Sequence, residues 1–280
     1  MSLVLATTTP GEPEIFASLQ GEGPSMGKPC AFVRLSRCNL ACVWCDTAYT
    51  WRFEGDNRPH RDGVAYERAA NQVTLSEEDV AARIAALGKP RLVVTGGEPL
   101  LQVPALARML EHLNSIPRSR GSEAGPQGQR GSPEPHAPAS AALGPRLRGE
   151  AIQVEIETNG TVAPPPALDA LVHQYNVSPK LAHSGNPAAL ALLPERLAHW
   201  AAEQRAFFKF VIAAPIDAAE VLALADQFAI PRERTWLMAE GTDAATLAAR
   251  EAWLSQLCLE HNLTLSKRLH IELYGDTRGT

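Results

Sequence analysis

A chain of 280 residues, 45% of them hydrophobic, can bury a sizeable core in one domain or two. Its formal net charge of −5 argues against a generally basic nucleic-acid surface, and no apolar run approaches the ~18 residues of a membrane span, so small-molecule work is favoured. Residues 1–10 have neither a basic start nor a long apolar region, so a secretory signal is not expected, and a reducing cytoplasm suits a chain of 5 cysteines.

After an irregular start, residues 31–35 read as a strand leading into a cysteine-containing loop. Residues 51–73, rich in Arg, Asp, Gly and Asn with no clear period, read as a surface excursion. Ser76 can cap a helix through Leu87, since Asp79 follows three residues on and Val80, Ile84 and Leu87 recur at helical spacing; Gly88 and Pro90 end it. Arg91-Leu92-Val93-Val94 fits a short buried strand that opens into a loop at Gly96-Gly97. Pro104 can occupy the first turn of the next helix, with Leu106, Met109, Leu110 and Leu113 on one face. From 117 to 150 the chain turns to Gly, Pro, Ser, Ala and Arg, too polar to fold by itself. It is expected to be a disordered or loosely held insertion in a single domain over 1–280.

Ile152-Gln153-Val154-Glu155-Ile156-Glu157 alternates strictly, with Ile152, Val154 and Ile156 on one face. In a barrel-like sheet the apolar face meets helices and the polar face looks inward. Helices over 166–174, 189–204, 217–228 and 243–261 then alternate with strands over 175–178, 206–212, 235–238 and 268–273, with Asp217 and Glu220 as a capping arrangement. Repeated β/α units imply a mainly parallel sheet with right-handed crossovers, too few for a comfortable closed eight-fold barrel. Sites in such sheets gather at the carboxyl ends of strands. The cysteine loop, Gly96-Gly97, Asn159-Gly160 and Ser178-Pro179 all fall there.

The segment Arg37-Cys38-Asn39-Leu40-Ala41-Cys42-Val43-Trp44-Cys45-Asp46-Thr47 places three thiols in a C-x3-C-x2-C spacing. An iron–sulfur cubane usually takes four Cys thiolates, so three leave one iron open to a ligand that is not protein. Structural zinc and merely buried thiols are the alternatives. Zinc wants a fourth ligand, and the remaining Cys30 and Cys258 sit in apolar patterns as small core residues.

The words around those cysteines are more particular. Cys38, Cys42 and Cys45 match the loop of the radical S-adenosylmethionine (SAM) enzymes. Glu14-Ile15-Phe16, Ser18-Leu19-Gln20-Gly21-Glu22-Gly23, Phe32-Val33-Arg34 and Cys45-Asp46-Thr47 are similar to the N-terminal signature of the 7-carboxy-7-deazaguanine synthases. Thr95-Gly96-Gly97-Glu98-Pro99, Glu157-Thr158-Asn159-Gly160, Val177-Ser178-Pro179-Lys180, Phe208-Lys209-Phe210-Val211 and Leu269-His270-Ile271 follow in the same order. The three-cysteine loop alone marks the superfamily; the ordered set resembles the family along nearly the whole chain outside the insertion.

The resemblance implies an incomplete (β/α) barrel and a radical SAM lyase that turns 6-carboxy-5,6,7,8-tetrahydropterin into 7-carboxy-7-deazaguanine with loss of ammonia, for queuosine and related 7-deazapurines. It implies that Cys38, Cys42 and Cys45 bind three irons of a [4Fe–4S] cluster and that SAM chelates the fourth. Trp44, Cys45, Asp46, Gly96, Gly97, Glu98, Ser178, Pro179, Lys180, Met238, Ala239, Glu240 and Gly241 are then SAM-site residues, Glu98 taking the amino group. Ala239 stands where the family has proline. Thr47, ordinarily a cap, is implied to hold Mg²⁺, which favours hard oxygen ligands. Leu19, Gln20, Gly21, Glu22, Arg34, Thr95, His270 and Thr280 are implied substrate contacts, Arg34 as a bidentate fork for the carboxylate. A homodimer and an electron donor such as flavodoxin or ferredoxin complete the expectation. The rivals are another radical SAM enzyme, such as a protein-radical activase, and a non-catalytic iron–sulfur protein.

Overall fold

The computed structural model describes residues 2–117 and 152–280, so the insertion expected at 117–150 lies, apart from Pro117, outside the described residues. The strands are β1 (Ser2–Thr9), β2 (Glu12–Pro13), β3 (Ile15–Leu19), β4 (Pro29–Leu35), β5 (Gln72–Ser76), β6 (Arg91–Gly96), β7 (Gln153–Thr158), β8 (Gln174–Val177), β9 (Ala206–Ile212), β10 (Thr235–Ala239) and β11 (Thr264–Ser266). The helices are α1 (Arg68–Asn71), α2 (Glu77–Ala86), α3 (Val103–Ser115), α4 (Pro166–Asp169), α5 (Ala188–Ala191), α6 (Pro194–Ala202), α7 (Pro215–Phe228), α8 (Ala244–His261) and α9 (Leu269–Tyr274).

All the strands join one sheet in the order β11-β10-β9-β8-β7-β6-β4-β1-β2, with β3 added on β4 and β5 on β1. From β4 through β11 the pairings along that path are parallel, while β1, β2, β3 and β5 pair antiparallel. Among the described residues β11 pairs only with β10, so the ring stays open and the expected incomplete (β/α) barrel is the fold.

Alternation sorts each strand into two faces. On β7, Val154 and Ile156 join Leu92, Tyr175, Phe208, Leu237 and the apolar faces of the helices in one core. The helical stripe Leu106, Met109, Leu110 and Leu113 meets that core from α3, and Trp200 meets it from α6. Burying a large apolar side chain contributes roughly 1.5–3 kcal/mol, so this outer layer holds the sheet in shape. Glu155, on the opposite face, is sealed inside and paired with Arg91. Carboxylates do not stay in an interior without such partners. The polar face therefore looks into the barrel.

Several sequence expectations need correction. The irregular start is three strands, and residues 51–73 end in α1 and the first part of β5; short pairings to distant strands supply the order that local periodicity lacked. The helix expected over 189–204 is broken into α5 and α6 ahead of Pro194, which has no N–H to donate. Asp217 is not the cap residue but lies inside the first turn of α7, its carboxylate accepting from Ala213 N and Ala214 N, both at 2.8 Å. Residues 268–273 are not a strand: the last strand is β11, and Leu269–Tyr274 is helical, with Ile271 buried but Leu273 51% exposed. Leu269 N donates to Gly21 O at 2.9 Å, which ties this helix to the loop after β3.

Candidate active site

The cysteine loop leaves the carboxyl end of β4 and is pressed from below by the end of β6. A Cβ on Gly96 would lie 2.0 Å from Leu35 O, and one on Gly97 would lie 2.1 Å from Arg37 O and 3.0 Å from Cys38 Cβ. Only glycine permits that approach. Gly97 N donates to Leu35 O and Glu98 N to Arg37 O, at 3.1 and 2.8 Å, locking the two loops together.

Cys38, Cys42 and Cys45 are free thiols that line one cavity. Burial pushes Cys38 up to about 12 and Cys42 to about 11, and it raises Cys45 as well. Thiolates there need a cationic centre to hold them, which is the chemistry of a metal-binding donor set. Among the described residues no three His, Cys, Asp or Glu side chains converge closely enough to share one ion. A cubane makes no such demand, since each thiolate takes its own iron. The donor set fits the cluster.

The same cavity holds Trp44, Asp46, Gly96, Gly97, Ser178, Lys180 and Met238. The Trp44 indole N–H is shut off from water and has no acceptor among the described residues. Such a donor costs free energy unless a ligand supplies the acceptor, so the residues fit a polar cofactor beside the cysteines. Lys180 Nζ stands 5.7 Å above the Trp44 ring and donates to Ser178 Oγ at 2.8 Å.

Five of the expected SAM residues do not line that cavity: Glu98, Pro179, Ala239, Glu240 and Gly241. Glu98 is wholly buried, and both of its oxygens are spent on protein donors: Leu100 N at 2.9 Å, Asn159 N at 2.7 Å and the Thr158 hydroxyl at 2.9 and 3.0 Å. Burial pushes its carboxyl up to about 7, against the pull of those donors. It clamps the Gly-Gly turn to β7 rather than presenting an acceptor. Glu240 is taken by Arg61 and Arg250, and Gly241 O accepts from Arg268.

The other half of the cavity is a network of charges. Glu22 is bonded by Lys209 and by Arg268, with His270 Nε2 3.9 Å away. Burial alone would raise this carboxyl, but Lys209 and Arg268 above all hold it well below the usual range. Arg268 also bonds Asp46, and although burial opposes it, that arginine keeps the Asp46 carboxyl low. Gln20 Nε2 reaches Glu155 and Glu157, each at 3.4 Å, and Thr95 Oγ1 donates to Glu157 at 2.7 Å. Arg34 bonds Glu14 through Nε at 2.8 Å, and Tyr49 donates to the second Glu14 oxygen at 2.8 Å. Arg34 lines the cavity, and its two Nη groups have no side-chain acceptor among the described residues.

Gly21 is wedged against His270, whose Nδ1 would sit 2.3 Å from an added Cβ. Burial lowers the His270 imidazole, which favours its neutral form. Leu19, Thr47 and Thr280 complete the lining. Thr47 Oγ1 is 3.6 Å from Cys45 Sγ. Lys209, Glu157 and Glu14 stand within words of the family resemblance without being among its expected site residues, and Arg268 is in neither. A lone lysine in the apolar strand Phe208-Lys209-Phe210 was the available signal for the first; Arg268 belongs to no motif, and only the fold brings it in.

A family profile described as the Radical SAM superfamily matches residues 33–179. The chain is 34% identical to the 7-carboxy-7-deazaguanine synthase of Pyrobaculum aerophilum over 95% of both chains. It is 31% identical to that of Hyperthermus butylicus, covering 92% of this chain and 90% of the relative. Among solved structures, the crystal structure of QueE from Escherichia coli is similar in fold, with a TM-score of 0.56 over 95% of each chain at 21% identity.

Proposed function

Because the chain belongs to the 7-carboxy-7-deazaguanine synthase family of the radical SAM superfamily, we propose that it converts 6-carboxy-5,6,7,8-tetrahydropterin into 7-carboxy-7-deazaguanine with release of ammonia. The observation that carries the reading is that three thiols and a carboxylate–cation network open on one cavity at the carboxyl ends of the strands. Its cofactors are a [4Fe–4S] cluster and SAM, which when bound supply a carbon-centred radical able to take a hydrogen from substrate.

The chain's own residues have separable tasks in this reading. Cys38, Cys42 and Cys45 would hold three irons. The Trp44 N–H, Ser178, Lys180, Met238 and the bare backbone at Gly96-Gly97 would seat SAM. The free Nη groups of Arg34 suit the substrate carboxylate as a planar fork. Lys209 and Arg268 keep Glu22 ionised, so with Glu157 and Gln20 it offers acceptors to the donor-rich edge of a pterin. Thr95 and His270 border the same space. Thr47 would supply one hard oxygen to Mg²⁺, and Thr280 would close the cavity from the chain's end. Residues 1–280 would form one domain carrying the insertion, acting as a homodimer fed by a flavodoxin- or ferredoxin-type donor.

Anaerobic reconstitution followed by incubation with SAM, a reductant and the carboxypterin tests the proposal. The expected result is a cluster spectrum that shifts on adding SAM, and formation of the deazaguanine product. A cluster that responds to SAM but leaves the carboxypterin untouched would point to a different radical SAM reaction. Thr47→Ala is expected to lower Mg²⁺-dependent turnover while sparing SAM cleavage.

A further inference from the structure

Each sulfur of the cysteine triad faces an N–H donor from a different part of the chain. Trp51 Nε1 donates to Cys45 Sγ at 3.4 Å, Asn186 Nδ2 to Cys42 Sγ at 3.3 Å, and Asn159 Nδ2 to Cys38 Sγ at 3.9 Å. Trp51 follows β4, Asn159 follows β7, and Asn186 precedes α5, so three separate segments converge on the loop.

The donors are aimed by their other contacts. Asn186 Oδ1 accepts from Ala41 N at 2.8 Å, which fixes the amide so that its nitrogen, not its oxygen, faces sulfur. Asn159 Oδ1 accepts from Thr161 N at 3.0 Å and from the Thr161 hydroxyl at 2.7 Å, with the same consequence. The Trp51 ring is held between the Arg58 guanidinium, 4.7 Å from its centroid, and the edge of His60 at 6.3 Å. Three thiol sulfurs in a tight loop need no such set of donors to stay folded, because the loop already has its backbone bonds to Glu98, Ser184 and Thr50.

Resting on the cluster reading above, we propose that Trp51, Asn186 and Asn159 are positioning residues that raise the reduction potential of the cluster, each by donating an N–H to one ligating sulfur. Reduction adds one electron, delivered by a low-potential one-electron donor, and no bond of these side chains breaks. The added negative charge spreads onto the cluster sulfurs and ligand thiolates, so an N–H pointed at a thiolate stabilises the reduced state more than the oxidised one. The two short contacts, at Trp51 and Asn186, carry more of the effect than the long one at Asn159.

The test is a potentiometric titration of the reconstituted holoprotein with dithionite and mediator dyes, followed by electron paramagnetic resonance. Trp51→Phe deletes the N–H and keeps the ring contacts; Asn186→Leu deletes the other donor without adding charge. In each variant, with iron content equal to wild type, the reduction equilibrium is expected to shift several-fold to about tenfold towards the oxidised cluster, tenfold being 59 mV for one electron. Trp51→Phe should also lose one deuterium-exchangeable proton coupling from the reduced-cluster signal. Should Trp51→Phe hold less iron, Asn186→Leu decides the matter by the same titration. An unchanged midpoint in fully loaded variants would overturn the proposal, leaving the hydrogen bonds as loop scaffolding. A wild-type protein that takes up no cluster would instead overturn the functional reading beneath it.

Discussion

Glu22 and Glu98 each follow a glycine in a strand-end loop, and both carboxylates are withdrawn from water, yet their carboxyls are shifted in opposite directions. Burial raises both. At Glu22 the cations Lys209 and Arg268 outweigh it and keep the group ionised. Glu98 bonds only to backbone N–H groups and one hydroxyl, with Lys180 adding the weakest pull; together they offset less of the desolvation, and its carboxyl is pushed up to about 7. The lesson is that a Gly-Glu word does not say whether its acid meets a ligand or clamps the backbone. Convergent cations make the first; convergent peptide dipoles make the second.

The contrast can be broken at its strongest point with Glu22→Gln, which leaves Lys209 and Arg268 buried with one partner fewer. A loss of about 3 kcal/mol is expected by denaturant unfolding, the lower end of what breaking a buried pair costs, because Glu157 and Asp46 still face those cations. Turnover should fall with it. Glu98→Gln comes next, since an amide nitrogen set against the Asn159 or Leu100 N–H strands a buried donor. About 1–3 kcal/mol should be lost. Cluster loading, measured as iron per protein, should survive, because Glu98 does not line the cavity.

The pH dependence separates the two acids by sign. Glu98 binds its proton more tightly folded than unfolded, so its stabilising contribution is complete below its ordinary 4.5 and is lost as pH rises through about 7. Glu22 behaves oppositely: its contribution is complete above its ordinary 4.5 and disappears only in strong acid. The stability deficit of Glu98→Gln against wild type should therefore narrow between about pH 5 and about pH 8. A widening deficit would contradict the assignment. The smallest effect belongs to Thr158→Val, which removes one hydroxyl donor from Glu98 and should cost about 1 kcal/mol.

What could be read along the chain follows the range of the interactions. The faces of β7 and α3 were legible because alternation and helical spacing are local consequences of backbone geometry. The thiol triad was legible because its three ligands sit on one loop. Strands β1 and β5 were not, since their order comes from pairing Leu3 with Leu75 and Leu5 with Val73, some seventy residues apart. Arg268 illustrates the same limit at the site. Read as the edge of a strand, it is instead the cation that joins Glu22 to Asp46.

The sequence by itself determined the β/α alternation, the open-cornered donor set and the family, because each rests on residue types at short, fixed spacings. Only the tertiary structure decided which acids face the cavity and in what charge state, that Glu98 belongs to the scaffold, and that Arg268 belongs to the site. Those outcomes depend on desolvation and on charges brought together from strands far apart in the chain, and neither quantity exists until the barrel has formed.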